Sequence, residues 1–385
     1  MPEHNLQPNA DEHVPWLTRF KLWNRKRLHK ARIKKLLSAD PKDRKPVPRP
    51  RAVNTLLFIE AQEGWGDFLY CLGLLKALSE KGVTIDVVSL PETYRRYESI
   101  PFIRHTFSMA DEAAKAQIAA SYYDMAFDVT YVNAIHWDLR APILALLKCH
   151  TVTIGDVTAH SALFDEFVDV SGRCHWKDRN AVMLNAILGQ STVSVPLPPF
   201  YPHPAHTPQA DEFISSWDNR NHVYVNTIAR VEDRSLSHEQ VLALADLFNE
   251  RQQASGIFYT DMPIKETPWV RRLPTMPFAD FTEVVRHCKA AITPDTSVVH
   301  LCSIYHLPIF GIYCGNNRDY WPQYAMQDVW APLSEGSVSF FEDDPGTTWQ
   351  SDFVYKHHKK PVRAYSPEKL SAAVRAFLQK QELMA

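Results

Sequence analysis

The sequence predicts an α/β protein of two parallel-sheet domains facing each other across a cleft, with a basic helical arm in front. Three observations lead there. The chain has 385 residues, about right for two domains. From residue 53 onward, short β-branched apolar runs alternate with helical patterns, as in βαβ units. A Pro-rich segment, 195–208 (VPLPPFYPHPAHTP), interrupts that alternation and reads as an interdomain linker. The expected division is an arm and linker over 1–51, a first domain over 52–200, a second over 209–365, and a last helix over 366–385 that could cross back to the first domain.

The elements follow in order. Residues 53–60 (VNTLLFIE) form a buried strand, and AQEGWGD a turn with two glycines. Leu69, Leu72, Leu75 and Leu78 keep helical spacing, and Gly82 closes that helix. Residues 83–89 (VTIDVVS) return as a strand parallel to the first. Further strands are expected at 125–129, 152–154 and 167–170. The second alternation opens with the strand 222–226 (HVYVN). Ser237 and Gln240 make a capping-box signature before the next helix. The strand 256–260 follows, then a helix opened by Asp280 with Glu283 three residues on. The strand 290–293 leads through Pro294-Asp295-Thr296-Ser297 into a helix over 298–305. Pro308 precedes the strand IFGIY, and Ser366-Pro367-Glu368 starts the last helix with Pro at its favoured first position.

Composition excludes several classes. Hydrophobic residues make up 45% and charged residues 22%, an ordinary globular balance, so wholesale disorder is excluded. No apolar run approaches the ~18 residues that a membrane span needs. The first residues are polar and acidic and do not read as a secretory signal. Six scattered cysteines without a C-x-x-C predict a reducing, cytoplasmic setting and no disulfide framework. The net charge of −2 hides an asymmetry: residues 19–51 carry fourteen Lys and Arg against Asp40 and Asp43. Phe20, Leu22, Trp23, Leu28 and Ile33 interleave the basic residues of that arm. It reads equally as a solvated helix packed on the acidic body or as an anchor at an anionic membrane surface, for which residues 16–51 would serve. Nucleic acid is the weaker reading, because the body is acidic and no recognised nucleic-acid motif follows. No nucleic-acid partner is expected.

Ligands of such folds bind at the carboxyl ends of the strands, so the loops after strands carry the chemistry. Gly64 and Gly66 let the chain turn tightly and let a ligand approach the backbone, and Asp67 falls at the helix start. Asp67 reads as well as a helix cap there. The run lacks the third glycine of a dinucleotide fingerprint. Around Asp295, Thr296 and Ser297, hydroxyls and backbone N–H groups at a helix start make an anion site that fits a diphosphate. His300, a turn later, either donates to a phosphate or is merely packed. In the loop with Asn226 and Thr227, Arg230 or Arg234 is placed to neutralise a leaving diphosphate, or is an ordinary surface arginine.

Taken together, these loops resemble a known pattern. Gly66-Asp67-Phe68-Leu69, with a strand before and a Leu-rich helix after, resembles the "GD-V-L" start of the ADP-heptose:lipopolysaccharide heptosyltransferases (glycosyltransferase family 9, GT-B fold). Tyr123-Asp124-Met125-Ala126-Phe127-Asp128 resembles that family's "YD-x-x-x-D" strand. Met276 to Asp295 resembles the segment leading to its "D-T-G-x-x-H" signature, and Asp295-Thr296-Ser297-Val298-Val299-His300 matches that signature with Ser for Gly. Leu307-Pro308-Ile309-Phe310-Gly311-Ile312-Tyr313 resembles the following strand. The likeness spans about residues 53–330, in order.

The resemblance implies a GT-B fold of two Rossmann-like domains and an inverting, metal-independent glycosyl transfer. It implies Asp67 as catalytic base, and Arg234, Thr227, Asp295, Thr296, Ser297 and His300 around the donor, with Met276 lining the adenine pocket. Arg234 stands where the family often has Lys, which keeps the charge and changes its geometry. The Ser at 297 holds the backbone further from a diphosphate than Gly would. No cofactor and no metal are expected: the nucleotide-sugar donor is a substrate, and Glu342-Asp343-Asp344 reads as solvated surface. The expected acceptor is an anionic lipid-linked glycan at the inner membrane's cytoplasmic surface, met by Arg95, Arg96, Arg104 or Arg140. Two rivals are a relative that glycosylates protein, which would carry a clustered-cysteine metal motif absent here, and a non-catalytic module that only binds nucleotide or glycan.

Overall fold

A computed structural model of the chain describes residues 44–130, 135–155, 161–170, 175–189, 200–202, 205–314, 331–342 and 360–384. The basic arm up to residue 43 and most of the Pro-rich segment lie outside the described residues, as do Asp343, Asp344 and Cys174.

The first half runs β1 (Thr55–Glu60), α1 (Trp65–Glu80), β2 (Thr84–Ser89), β3 (Ile103–Ser108), α2 (Glu112–Ala120), β4 (Met125–Asp128), α3 (Trp137–Leu146), β5 (His150–Thr153), β6 (Glu166–Phe167) and α4 (Trp176–Leu188). After α5 (Pro208–Ser215), the second half runs β7 (Asn221–Asn226), α6 (His238–Arg251), β8 (Ala254–Tyr259), β9 (Val270–Arg272), α7 (Phe278–His287), β10 (Ala290–Pro294), α8 (Ser297–Ile304), β11 (Ile309–Ile312), β12 (Val338–Phe340) and α9 (Pro367–Lys380). Among the described residues, each half holds a six-stranded parallel sheet. The orders are β3-β2-β1-β4-β5-β6 and β12-β11-β10-β7-β8-β9. Numbered from its own first strand, the second sheet repeats the first. In each, the order reverses between the first and fourth strands, which opens a crevice at their carboxyl ends.

The alternation explains the sheets. β1, β4, β7 and β10 are central and apolar, because helices cover both faces of a parallel sheet. α1 is buried on nearly all sides: Leu69, Leu72, Leu75 and Leu78 are joined by Phe68, Tyr70 and Leu74. A helix apolar all round needs cover all round. α1 finds it because α4 and α8 pack on it as well as its own sheet, so one apolar core runs through both halves. Gly82, at φ +83°, ends α1, with its N–H on Ser79 O at 2.9 Å.

Four readings change. The last helix does not cross back: α9 packs on α6 in the second half, where Gln240 Nε2 donates to Val362 O and Tyr365 O at 2.8 and 2.9 Å. The segment after 44 is no loose linker. Arg44 grips both Asp165 oxygens at 2.8 Å, and Val47 N donates to Asp165 at 3.0 Å, strapping the chain along β5 and β6. Asp280 does not open α7. It lies inside that helix and accepts from Thr207 N at 2.8 Å and Thr207 Oγ1 at 2.9 Å, thereby holding the start of α5. Glu342 is not solvated surface; Lys360 and Lys369 close on it at 3.1 and 3.0 Å, and it accepts from Ser366 N at 2.9 Å.

Candidate active site

The crevice loops of the two sheets meet where α1 and α8 begin. Gly64 caps α1 at φ −73°, an ordinary value, so its role is space: a Cβ at 64 would run into Asp67 Oδ2. Asp67 sits in the first turn of α1, where the helix dipole favours negative charge. Gly66 serves a close approach. A Cβ there would lie 3.1 Å from His300 Cδ2 and 3.7 Å from Ser297 Cα. The first turns of α1 and α8 therefore abut, and Tyr70, the next turn of α1, meets the His300 ring edge-on at 4.1 Å.

Opposite Asp67, the loops after β7 and β10 are tied into one unit. Asn226 Nδ2 donates to Thr293 Oγ1 and to Thr296 Oγ1, both at 3.1 Å. Thr296 caps α8, accepting from Val298 N at 3.3 Å. Arg234, in the short 310 turn Glu232–Arg234, donates to Asp295 Oδ2 at 3.0 Å and to Asp295 O at 3.2 Å. Asp295 is buried, and Thr296 and Ser297 are half-buried at the helix start. Thr227 stands apart. It is fully buried, with its hydroxyl on Tyr259 O at 3.1 Å, so it braces β7 against β8.

His300 is buried, and that burial, reinforced by His175, lowers its pKa to about 3. It is a neutral imidazole at physiological pH, able to donate a hydrogen bond but not a charge. The consequence for stability has a definite sign. Between about 3 and 6.5 the unfolded chain binds a proton at 300 that the folded one refuses. The contribution is whole above pH 6.5 and is lost as pH falls towards 3. A His300→Leu variant is therefore expected to show a smaller drop in Tm than the parent between about pH 6.5 and about pH 4, by calorimetry.

An aromatic stack flanks the site. The Trp65 ring lies on Phe278, with centroids 3.6 Å apart and planes 19° apart, and the Arg96 guanidinium covers Trp65 at 4.2 Å. Met276, two residues before Phe278, is half-buried against the core that runs through both halves. Glu63 joins the halves, pairing with Arg230 and lying 3.2 Å from His136 Nε2. The residues that sequence reasoning passed over are thus Trp65, Phe278 and Glu63. A tryptophan between two glycines was a signal in plain view.

The proposed acceptor arginines separate. Arg96 reaches the site; Arg95 is exposed beside Tyr94; Arg104 is paired with Asp86 at 2.7 Å. Arg140 is fully buried and committed to Asp128, so it presents nothing to an acceptor. The YD-x-x-x-D residues are also structural. Asp124 accepts from Asn54 N and Thr55 N at 2.8 and 2.9 Å, and Asp128 holds Arg140. Among the described residues, no cluster of three or more His, Cys, Asp or Glu is placed to hold a metal ion, and no helix is long and apolar enough to cross a membrane. Cys71, Cys149, Cys288, Cys302 and Cys314 are all buried.

Solved structures share this architecture. A glycosyl transferase family 9 protein from Veillonella parvula aligns at a TM-score of 0.63 and 15% identity, covering 87% of this chain and all of its own. The E. coli ADP-heptose lipopolysaccharide heptosyltransferase II aligns at 0.57 and 13%, over 85% of this chain and 99% of that one. E. coli heptosyltransferase WaaC, solved with ADP, aligns at 0.58 and 14%, over 86% and 100%. The fold is the GT-B fold of these glycosyltransferases. Neither the family models nor the curated proteins compared with the sequence give a match. On a GT-B frame, the meeting of α1 and α8 is the seam between its two Rossmann-like halves, and Gly64, Asp67, Thr296 and Ser297 lie in the turns that form it.

Proposed function

We propose that the protein is an inverting glycosyltransferase that moves a sugar from an ADP-sugar, a heptose in the first instance, to an anionic lipid-linked glycan of the lipopolysaccharide-core type. The reading rests on one observation: the first turn of α1, which carries Asp67, abuts the hydroxyl-rich start of α8, with Gly66 against Ser297 and His300. In this mechanism the acceptor hydroxyl gives its proton to Asp67. Its oxygen attacks the anomeric carbon from the face opposite the diphosphate, and the bond from that carbon to the ADP oxygen breaks. The leaving diphosphate is stabilised by Arg234 and the N-terminus of α8, with Thr296 and Ser297 hydroxyls donating. Those groups fill the role a metal would otherwise take. Met276 and the Trp65–Phe278 stack flank the adenine side, and Arg96 faces the acceptor side. The similarity to heptosyltransferases supports the donor class, and the basic arm supports an acceptor at a membrane surface.

The test is transfer by purified full-length protein from ADP-heptose to a lipid-anchored acidic glycan, read as ADP release and product mass. Absence of turnover, together with no thermal stabilisation by any of a panel of nucleotides, would refute the reading. Stabilisation by ADP without turnover would instead identify a binding module. Arg234→Met is expected to lower kcat/KM for the donor by about 10²–10³-fold, the usual cost of removing one preorganised donor to a developing anion. A change of only a few-fold would remove Arg234 from the mechanism.

A further inference from the structure

Arg230 and Arg234 stand four residues apart in the loop after β7, and the fold gives them different partners. Arg234 turns to its own half, onto Asp295 at the start of α8. Arg230 reaches across to the first half and pairs with Glu63. Glu63 lies between β1 and α1, four residues before Asp67. A third group meets the same carboxylate: His136 Nε2 lies 3.2 Å from Glu63 Oε1. A carboxylate only accepts, so Nε2 carries a proton there. His136 caps α3, in the connection after β4, and holds φ at +49°, the left-handed region that a non-glycine residue rarely takes. The first sheet reverses its order between β1 and β4, so Glu63 and His136 both belong to connections at its switch point, where ligands of such sheets bind.

Two donors from opposite halves thus converge on one carboxylate in the crevice. As a latch the arrangement is weak. The Arg230 side chain is 67% exposed and that of Glu63 39%, and a pair so exposed shifts an equilibrium by about fivefold at most. The halves are joined more firmly by the core around α1 and by the Trp65–Phe278 stack. What exposure permits is exchange. Arg96 Nη1 holds the backbone of Glu63 through its carbonyl oxygen at 3.2 Å, so the Glu63 side chain can swing away while the loop that carries Asp67 stays in place. Arg140, sealed with Asp128, has no such freedom.

We propose that Arg230 and His136 form a subsite for a carboxylate of the acceptor glycan, and that the Glu63 side chain is its internal occupant, displaced when the ligand's own carboxylate arrives. That the ligand is an acceptor rests on the proposed transferase function; the subsite itself does not. The guanidinium fork matches the two oxygens of a carboxylate, and the imidazole N–H adds a further donor. The group seated there is itself a carboxylate, which favours a sugar acid over a phosphate. Arg234 and Arg230 then divide the anions of the reaction between them, the diphosphate to the first and the sugar acid to the second.

The experiment is calorimetric titration of the full-length protein with lipid-free disaccharides ending in glucuronic or N-acetylneuraminic acid, with their methyl esters, and with ADP. The parent is expected to bind at least one acid about tenfold more tightly than its ester, as a charge-assisted hydrogen bond allows. Arg230→Met should abolish that preference, and Arg230→Lys should keep part of it. Glu63→Gln should bind the same acid several-fold more tightly than the parent, because the internal competitor has lost its charge. A latch predicts the opposite sign. His136→Gly, which tolerates the left-handed φ and lacks the donor, should weaken the acid a few-fold. ADP affinity should stay unchanged in all four variants. No preference for acid over ester in the parent, a Glu63→Gln protein that binds the acid no more tightly, or a loss in Arg230→Met that falls on ADP instead, overturns the subsite. Should one variant fail to fold, the parent and the remaining variants still decide. The expected pattern in a protein that transfers no sugar upholds the subsite and refutes the transferase reading. Transfer to an acidic acceptor whose KM is the same in Arg230→Met upholds that reading and overturns the subsite.

Discussion

Asp67→Asn is expected to lower kcat for sugar transfer by about 10²–10⁴-fold, the range that loss of a general base produces. The substitution keeps size and shape and removes the charge and with it the ability to take a proton. Its structural cost is small. Asp67 is half-buried in the first turn of α1, where a carboxylate contributes about 0.3–1 kcal/mol through the helix dipole. The loss should therefore appear in kcat, with Tm shifted by a few degrees at most and with nucleotide binding retained. Steady-state kinetics beside calorimetry separates the two effects. A folded Asp67→Asn protein that turns over within a few-fold of the parent would mean that the proton goes elsewhere.

Arg140→Ala is expected to cost about 3–5 kcal/mol of folding stability, a large share of the ~5–15 kcal/mol that natural domains have. The guanidinium and the Asp128 carboxylate are both fully buried, with Nε on Oδ2 at 3.0 Å. Arg140 also donates to Ile135 O at 3.1 Å, and Asp128 accepts from Thr130 N at 2.9 Å. Truncating the arginine strands a buried charge beside β4, which forms the rim of the crevice. Asp128→Asn/Arg140→Met should recover most of the loss, since it removes both charges and keeps an acceptor for Thr130 N–H. Urea denaturation measures both. If Arg140→Ala loses less than about 1 kcal/mol, water reaches Asp128 and the pair is not sealed.

Much of this architecture was legible in local patterns. β1, β2, β7 and β10 announce themselves as short apolar runs, and the capping signatures at Ser237 and Ser366 mark true helix starts. What escaped was what burial does not write into sequence. β3 (Ile103–Ser108) lies at a sheet edge with exposed Arg104 and His105, so its hydrophobic signal is diluted. β9 and β12 are only three residues long. α5 was missed where the Pro-rich stretch ends, although Thr207 followed by Pro208 is a cap followed by a favoured first residue.

The amino-acid sequence by itself determined the alternation of strand and helix, hence two parallel sheets, and it put Asp67, Arg234 and the 295–300 run on loops at strand ends. Local spacing suffices for that, because a period of two or of 3.6 is written within a dozen residues. Which of those loops meet was decided by tertiary structure alone. His300 against Gly66, Arg140 against Asp128 rather than an acceptor, and Glu63 against Arg230 are each settled by how sheets and helices pack. Burial is what gives a charged side chain its partner, and burial exists only once distant segments have come together.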